Sequence, residues 1–320
     1  MHSAFISTLA LAIVFATASG LDSSRSVEVF TLASLVALIG VPHGALDHAV
    51  GQRLFRPALG SLWGAAFFSV YLAISVVVVI GWYVMPVSTI LTFFLVSAWH
   101  FGLEERDAVN GSWTRHLLAI ASGGMIIWMP ALFRGDEVVE LLTLITPSDK
   151  DTSIAFCVSS VASSALIFAP LCLFDCLQQD LQRRPRDRSW IEFICGSNFL
   201  RMLSFALLCN VANTLVSFTV YFCGWHSVRG LHQLALSLGE SVFLTYRKLL
   251  PLTVAALALV SVGSFFWSST DAIESSLTRT VFLGLSAMAI PHLCLHIFAE
   301  SFSQRFTYKS AAPGKVFNHA

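Results

Sequence analysis

Long apolar stretches constrain the fold of this chain more than any other feature of its sequence. Of its 320 residues, 56% are hydrophobic and 12% are charged, whereas soluble domains average about 25% charged residues. So few polar groups cannot cover a water-soluble globule, and the mean hydropathy of +0.73 agrees with this. The formal net charge of +0 gives no reason to expect a nucleic-acid partner. The sequence therefore predicts an all-α, polytopic integral membrane protein that contacts lipid over most of its surface.

The apolar stretches are long enough for about ten transmembrane helices, because a membrane-spanning helix needs ~20 mainly apolar residues. They lie at residues 4–20, 29–52, 62–84, 87–105, 115–133, 153–174, 190–209, 213–238, 249–268 and 279–302. We divide the chain into three parts on this basis. Residues 1–28 form a first membrane helix or an uncleaved signal-like segment, residues 29–302 form the membrane domain that carries the chemistry, and residues 303–320 form a cytoplasmic tail.

The positions of arginine and lysine in the short loops indicate which side of the membrane each loop faces. The richest loop holds four arginines between residues 183 and 188, so we assign it to the cytoplasm. With ten helices, Arg53 and Arg56 fall on the same side, and the mixed loop at residues 134–150 falls on the opposite side. The sequence thus predicts a multi-pass protein of the inner (plasma) membrane, with both termini in the cytoplasm.

Four histidines lie near the middle or in the inner half of four separate apolar helices: His43, His100, His226 and His292. In the ten-helix topology these four helices run in the same direction, so the four side chains can lie at a similar depth. Ionisable groups in hydrocarbon are costly and are usually functional. Several neutral imidazoles together make a site suited to zinc, copper, iron or nickel. The four histidines therefore predict a metal centre inside the membrane.

Two carboxylates follow motif histidines at the spacing that places side chains on one helix face. Asp47 comes four residues after His43, and Glu104 comes four residues after His100. A metal-bound imidazole commonly donates its other N–H to a carboxylate, which fixes the orientation of the ring. Asp47 and Glu104 are therefore candidates to orient the histidines or, alternatively, to cap the cytoplasmic ends of their helices.

Aromatic side chains stand close to two of the motif histidines. Trp99 and Phe101 flank His100, while Phe222 and Trp225 precede His226. Such residues are typical of core packing, but beside a buried metal centre they also suit the wall of a path for an apolar substrate. We predict that these four residues line a substrate tunnel.

The histidine motifs resemble those of one family of membrane enzymes. PHGALDH at residues 42–48, WHFG at 99–102, HSVR at 226–229 and PH at 291–292 resemble the Brp/Blh (bacteriorhodopsin-related-protein-like) β-carotene 15,15′-dioxygenases. The resemblance runs from about residue 30 to residue 300. It implies an integral membrane enzyme that uses iron(II) and O₂ to cleave the central double bond of β-carotene. The product is two molecules of retinal, which can serve as the chromophore of a microbial rhodopsin.

Carried over by motif, His43, His100 and His226 are implied to be catalytic residues and iron ligands. Family members commonly read His-Ser-x-Arg-His, but here Gly230 stands where that pattern has its second histidine. For the fourth ligand we predict His292, by its depth and its own motif. His232 and His296 are the reserves; His232 comes six residues after His226, so it points away from that face of the helix.

Two functions of other classes also fit buried histidines. A membrane b-type haem protein would use two facing histidines as axial ligands of its iron. A transporter or proton carrier would use them along a conduction path, but such proteins usually show inverted repeats and broken helices. We find no internal repeat in this sequence, so the iron-dependent carotenoid dioxygenase is the preferred hypothesis.

Overall fold

The computed structural model describes residues 2–21, 23–105, 113–147, 150–182, 194, 197–265 and 272–310. All regular structure in these ranges is helical, which confirms the all-α prediction. The helices are α1 (His2–Ala18), α2 (Arg25–Leu35), α3 (Val41–Gly44), α4 (Asp47–Leu59), α5 (Trp63–Val84), α6 (Pro86–Glu105), α7 (Trp113–Gly123), α8 (Met125–Phe133), α9 (Gly135–Thr143), α10 (Asp151–Gln182), α11 (Asn198–Val211), α12 (Thr214–Thr219), α13 (Val228–Leu238), α14 (Val242–Phe265) and α15 (Ile273–Ser310). Two π-helical segments, Val36–Gly40 and Val220–Ser227, lead into α3 and α13, and a short 3₁₀ turn, Gly60–Leu62, precedes α5.

The described part of the chain has the helix lengths and composition of a membrane bundle. Five of its helical segments are long and apolar enough to cross a membrane, or six if the bent pair α7 and α8 forms one crossing. One of the five, Arg25–Val84, is 60 residues long and contains two of the spans predicted from the sequence. Two further apolar helices, α1 and α11, are shorter. The number of ten crossings and the cytoplasmic placement of the termini remain predictions.

The long segment from α2 to α5 turns at Gly60. This glycine has a φ of +55° and a ψ of −127°, a backbone conformation that residues with a Cβ rarely adopt. Beyond the turn, α5 packs against α4, with the rings of Phe55 and Phe67 6.3 Å apart. A Cβ on Gly51 would lie 2.6 Å from the ring of Phe67, so the two helices approach closely there. The turn therefore brings Tyr71 of α5 back toward the start of α4.

Helices α6 and α7 pack backbone against backbone. A Cβ on Gly102 would lie 1.8 Å from the carbonyl oxygen of Ala119, and one on Gly123 would lie 2.0 Å from that of Ala98. Small residues at such crossings let membrane helices make close van der Waals contact. The contact fixes α6, and with it the depth at which His100 enters the bundle.

Pro42 explains the irregular helix that precedes the first histidine. A proline has no N–H, so the carbonyl of Leu38, four residues before it, loses its usual helical donor. The hydroxyl of Tyr246 donates to that carbonyl oxygen at 3.0 Å instead. The wider π-helical turn Val36–Gly40 lies at this point, and such turns are frequent at functional sites. The second π-helical segment, Val220–Ser227, carries His226 itself.

Polar contacts hold together the tight turn between α11 and α12. Helix α11 ends at Val211 and α12 begins at Thr214, so the chain turns between the predicted spans 190–209 and 213–238, which themselves remain predictions. The guanidinium of Arg134 donates to the carbonyl oxygens of Asn210 and Val211 at 3.0 and 2.6 Å. The carboxylate of Glu137 accepts the Thr214 N–H at 2.7 Å. Helix α9, which contains Glu137, is thus fastened to the turn.

Candidate metal centre and cavity

The four motif histidines meet in the interior of the bundle. They come from α3, α6, the second π-helical segment and α15, and all four are buried. The ring centroid of His226 lies 4.7 Å from that of His43 and 5.6 Å from that of His100. The centroid of His292 lies 4.9 Å from that of His100 and 5.6 Å from that of His43. The four rings therefore form a closed quadrilateral.

The size of this quadrilateral matches a mononuclear metal site. Two imidazoles on one ion, at metal–nitrogen distances of about 2.1 Å, hold their ring centroids roughly 4.5–5.2 Å apart for angles between a right angle and a tetrahedral one. Two sides of the quadrilateral fall in this range, and the other two are slightly longer. A set of neutral imidazoles is also a donor set that iron, zinc and copper accept. The residues present therefore fit a transition metal by number, kind and spacing of their donors.

A buried hydrogen-bond network holds one of the four rings. The Nδ1 atom of His292 lies 2.7 Å from Oδ1 of Asp47, whose side chain is only 3% exposed. The hydroxyl of Tyr71 lies 2.9 Å from Oδ2 of the same carboxylate and 3.2 Å from the carbonyl oxygen of Met288. A carboxylate that accepts the Nδ1–H of an imidazole fixes its tautomer and presents Nε2 as the ligand atom. The carboxylate of Asp47 thus orients the ring of His292, which lies on another helix.

His296 defines a second group of potential ligands that shares His292. Its Nε2 lies 3.6 Å from Oδ1 of Asp47, and its ring centroid lies 4.4 Å from that of His292. One ligand atom each from Asp47, His292 and His296 can be chosen so that all lie within 4.8 Å of one another. The His296 side chain is 40% exposed, so His296 lies at the rim of the histidine cluster, whereas Asp47 and His292 are buried.

Two further candidates for the site are His232 and Glu104. His232 is exposed on α13, and the side chain of Glu104 lies outside the described residues.

A Cβ on Gly230 would lie 2.1 Å from Cε1 and 2.2 Å from Nδ1 of His43. No side chain therefore fits at position 230 while His43 holds its place. The ring of His43 occupies the space that the second histidine of the His-Ser-x-Arg-His pattern would need.

One continuous cavity extends from the histidines into the bundle. All four motif histidines line it, and so do many apolar and aromatic side chains of α6, α8, α9, α12, α15 and the second π-helical segment. Its aromatic wall consists of Tyr71, Trp82, Phe93, Phe94, Phe101, Phe218, Phe222 and Phe282. On the face that leads to His226, lining residues recur every fourth position from Thr214. An extended hydrophobic molecule matches such a wall, because aromatic rings offer large apolar faces.

The sequence predicted part of this wall and missed part of it. Phe101 and Phe222 line the cavity. Trp99 is instead directed to His116, whose Nδ1 accepts its indole N–H at 3.1 Å, and Trp225 packs against the guanidinium of Arg201 at 3.9 Å. These two tryptophans are not among the residues that line the cavity.

Tyr71 and Trp82 are the contributions of α5 that the sequence analysis did not identify. Tyr71 bonds to Asp47, and the indole N–H of Trp82 donates to the hydroxyl of Ser286 at 2.8 Å. A tyrosine in the middle of an otherwise apolar segment is a signal that was available in the sequence. The partner of Tyr71 could not be inferred from the sequence, because the chain turn at Gly60 decides which residue the tyrosine contacts.

These features define a class of protein: all-helical bundles of the membrane type that enclose a histidine cluster at the end of an aromatic, apolar cavity. The chain matches the β-carotene 15,15′-dioxygenase family over residues 34–298, and it belongs to that family. It is 29% identical, over 276 residues, to a protein named β-carotene 15,15′-dioxygenase from the uncultured marine bacterium 66A03. The alignment covers 82% of this chain and 90% of that relative. No solved structure matches the chain. The family resemblance inferred from the motifs is thus confirmed.

Proposed function

We propose that this protein is an iron-dependent dioxygenase that cleaves β-carotene at its central double bond to give two molecules of retinal. The observation that carries the proposal is the meeting of His43, His100, His226 and His292 at one end of an apolar cavity. Family membership supports carotene as the substrate class, and it favours an enzyme over a haem protein or a transporter.

The residues that would hold iron(II) are the four motif histidines, and the bound metal would supply the activation of O₂. In the overall reaction the central carbon–carbon double bond breaks, and each of its two carbons becomes an aldehyde carbon bearing one oxygen atom of O₂. Atoms and electrons balance between β-carotene, O₂ and two retinals, so no further reductant is needed. No side chain has to add or remove a proton.

The protein's own contribution to this reaction is positioning and exclusion of water. The rings of Phe218 and Phe222 are stacked, with centroids 5.3 Å apart, and the ring of Phe101 lies 4.6 Å from that of His226. A rigid aromatic wall beside the histidines holds a conjugated chain in one orientation, which lowers the entropic part of the barrier. A dry cavity also limits side reactions of activated oxygen.

We place the reaction in the inner membrane, where β-carotene dissolves in the lipid and enters the bundle from the side. The exposed apolar surfaces of the long helices suit that environment. Retinal formed there would be available to a microbial rhodopsin in the same membrane.

The proposal is tested in bacterial cells that accumulate β-carotene. We expect the parent chain to deplete the carotenoid and form retinal, and His100→Ala to form none, because the metal would lose a ligand. His232→Ala, a change of an exposed histidine on α13, is the matched control and should behave like the parent. The proposed function would be contradicted if the parent protein accumulated in the membranes of iron-supplied cells and left β-carotene intact.

A further inference from the structure

The cavity is one-sided with respect to the histidines. Its lining on α15 begins at Phe282 and ends at His292 and Leu293; the ten residues from Phe282 to His292 correspond to about 15 Å of α-helix. The lining that leads to His226 starts twelve residues earlier, at Thr214, and the rings of Phe218 and Phe282 lie 5.2 Å apart. The cavity therefore runs along the helices, away from the metal centre, for roughly the length of three helical turns.

Helix α9 closes the far end of the cavity. Val138, Leu141 and Leu142 of this helix, together with Ile145 beyond it, line the cavity and are buried. Val139, between two of them in sequence, is only half-buried and is not among the lining residues. We call the four lining residues the end wall. They offer only aliphatic surface to whatever occupies that end.

Polar contacts on both sides of the end wall fix its position. Arg134 and Glu137 fasten the start of α9 to the turn between α11 and α12, at 2.6 and 2.7 Å. The Nε–H of Arg279, on α15, donates to the carbonyl oxygen of Leu144 at 2.7 Å. The end wall is thus tied to the element that leads to His226 and to the helix that carries His292. Its distance from the histidines is set by these elements.

We infer that the end wall is the binding subsite for the cyclic end group of one arm of the carotenoid, and that its distance from the histidines selects the double bond that is cut. The inference rests on the proposed function and adds the origin of its regioselectivity. A conjugated polyene is a stiff rod, so an end group in contact with the wall determines which bond lies at the metal centre. The four aliphatic side chains of the end wall offer a hydrocarbon ring apolar contacts and present no polar group of their own.

A change in the depth of the cavity tests the inference. We expect Val138→Phe to fill the far end and move the polyene toward the histidines, so that cleavage gives one carbonyl product shorter and one longer than retinal. At the neighbouring double bond, which bears a methyl group, the two products are a methyl ketone and an aldehyde. Because one methylene in an apolar pocket changes discrimination by ~10–200-fold, the ratio of these products to retinal should rise at least ~10-fold. Val139→Phe makes the same change beside the cavity and should leave retinal as the product. Chromatography of the carbonyl products measures both.

The opposite change keeps the test independent of one variant's folding. Leu142→Ala should deepen the cavity and allow the polyene to slide, which again adds carbonyl products of unequal length. If Val138→Phe and Leu142→Ala both yield retinal alone, even at reduced rates, the end wall does not select the bond and the inference is overturned.

The parent chain distinguishes failure of the inference from failure of the proposed function. If the parent cuts carotene at another bond, central cleavage is wrong. A further change in the position of cleavage in Val138→Phe, but not in Val139→Phe, would still support the role of the end wall. If the parent cuts nothing, the carotenoid retained by the purified proteins is measured by its visible absorption. A loss in Val138→Phe but not in Val139→Phe then supports the subsite, and equal retention contradicts it.

Discussion

The two ends of the cavity are built in different ways. The histidine end depends on particular contacts: Nδ1 of His292 lies against the Asp47 carboxylate, and the phenol of Tyr71 bonds to the same carboxylate. It also depends on two π-helical segments, one that precedes His43 and one that contains His226. The opposite end is the end wall, a surface of aliphatic side chains on α9 and just after it. The histidine end is specified by the identity of each residue, and the opposite end is specified by the volume of its side chains. Substitutions should therefore weaken or abolish the reaction at the histidine end, and change which bond is cut at the other end.

The largest effect is expected from His292→Ala. Loss of one imidazole from a four-histidine site should reduce the iron retained by purified protein to background, because both a ligand and the partner of Asp47 are removed. His296→Ala, on the same helix, should keep most of the iron if His296 only borders the site. Metal analysis of the two variants measures this directly. Iron lost equally in both would identify Asp47, His292 and His296 as the metal group instead.

A substitution at Gly230 tests the same end without replacing any of the proposed ligands. The Cβ of Gly230→Ala would lie about 2.1 Å from His43, so the imidazole must move. A displacement of about 1 Å at a reacting centre can cost ~100-fold in rate, and we expect a loss of that order together with weaker iron binding. Gly284→Ala is the matched control, since its Cβ would meet Val260 at 3.6 Å, an ordinary contact. Unchanged iron binding in Gly230→Ala would show that His43 does not hold the metal.

The histidine end was largely predictable from the sequence, and the reason is physical. Histidines are costly in apolar helices, so His43, His100, His226 and His292 stood out, and a common depth followed from the direction of their helices. The partner of Asp47 was not predictable. Spacing along one helix pointed to His43, but the chain turns at Ala45 and Leu46 before α4 begins at Asp47, and the carboxylate bonds to His292.

The far end of the cavity was not predictable from the sequence. Residues 134–150 read as a mixed loop, because an apolar run of a few residues is too short to cross a membrane. In the structure, residues Gly135–Thr143 form α9, whose buried face closes the cavity. The contacts that hold α9 come from the turn after α11 and from Arg279 on α15. These partners are distant in the chain, and local pattern does not encode their approach.

A smaller effect is expected from Asp47→Asn, which preserves the shape of the side chain. The amide cannot accept from His292 as strongly as a carboxylate, and loss of such an orienting partner typically lowers metal affinity by ~10–100-fold. We expect weaker iron binding, measured by competition with a chelator, and activity that returns as iron is added. Asp47→Glu should recover part of the affinity if the charge is what matters. If Asp47→Asn gave no folded protein, with or without iron, the hydrogen bonds of Asp47 would stabilise the fold instead of orienting His292 as a ligand.

The smallest effect at this end is expected from Tyr71→Phe. The phenol shares the Asp47 carboxylate with His292, and it also lies 3.2 Å from the carbonyl oxygen of Met288. A single hydrogen bond contributes about 1 kcal/mol net, so iron affinity should fall roughly fivefold while the ring keeps its packing. In Asp47→Asn protein the same change should cost less than it does alone, because the partner is already altered. Additive losses in this double-mutant cycle would show that Tyr71 acts on the helix at Met288 and not through Asp47.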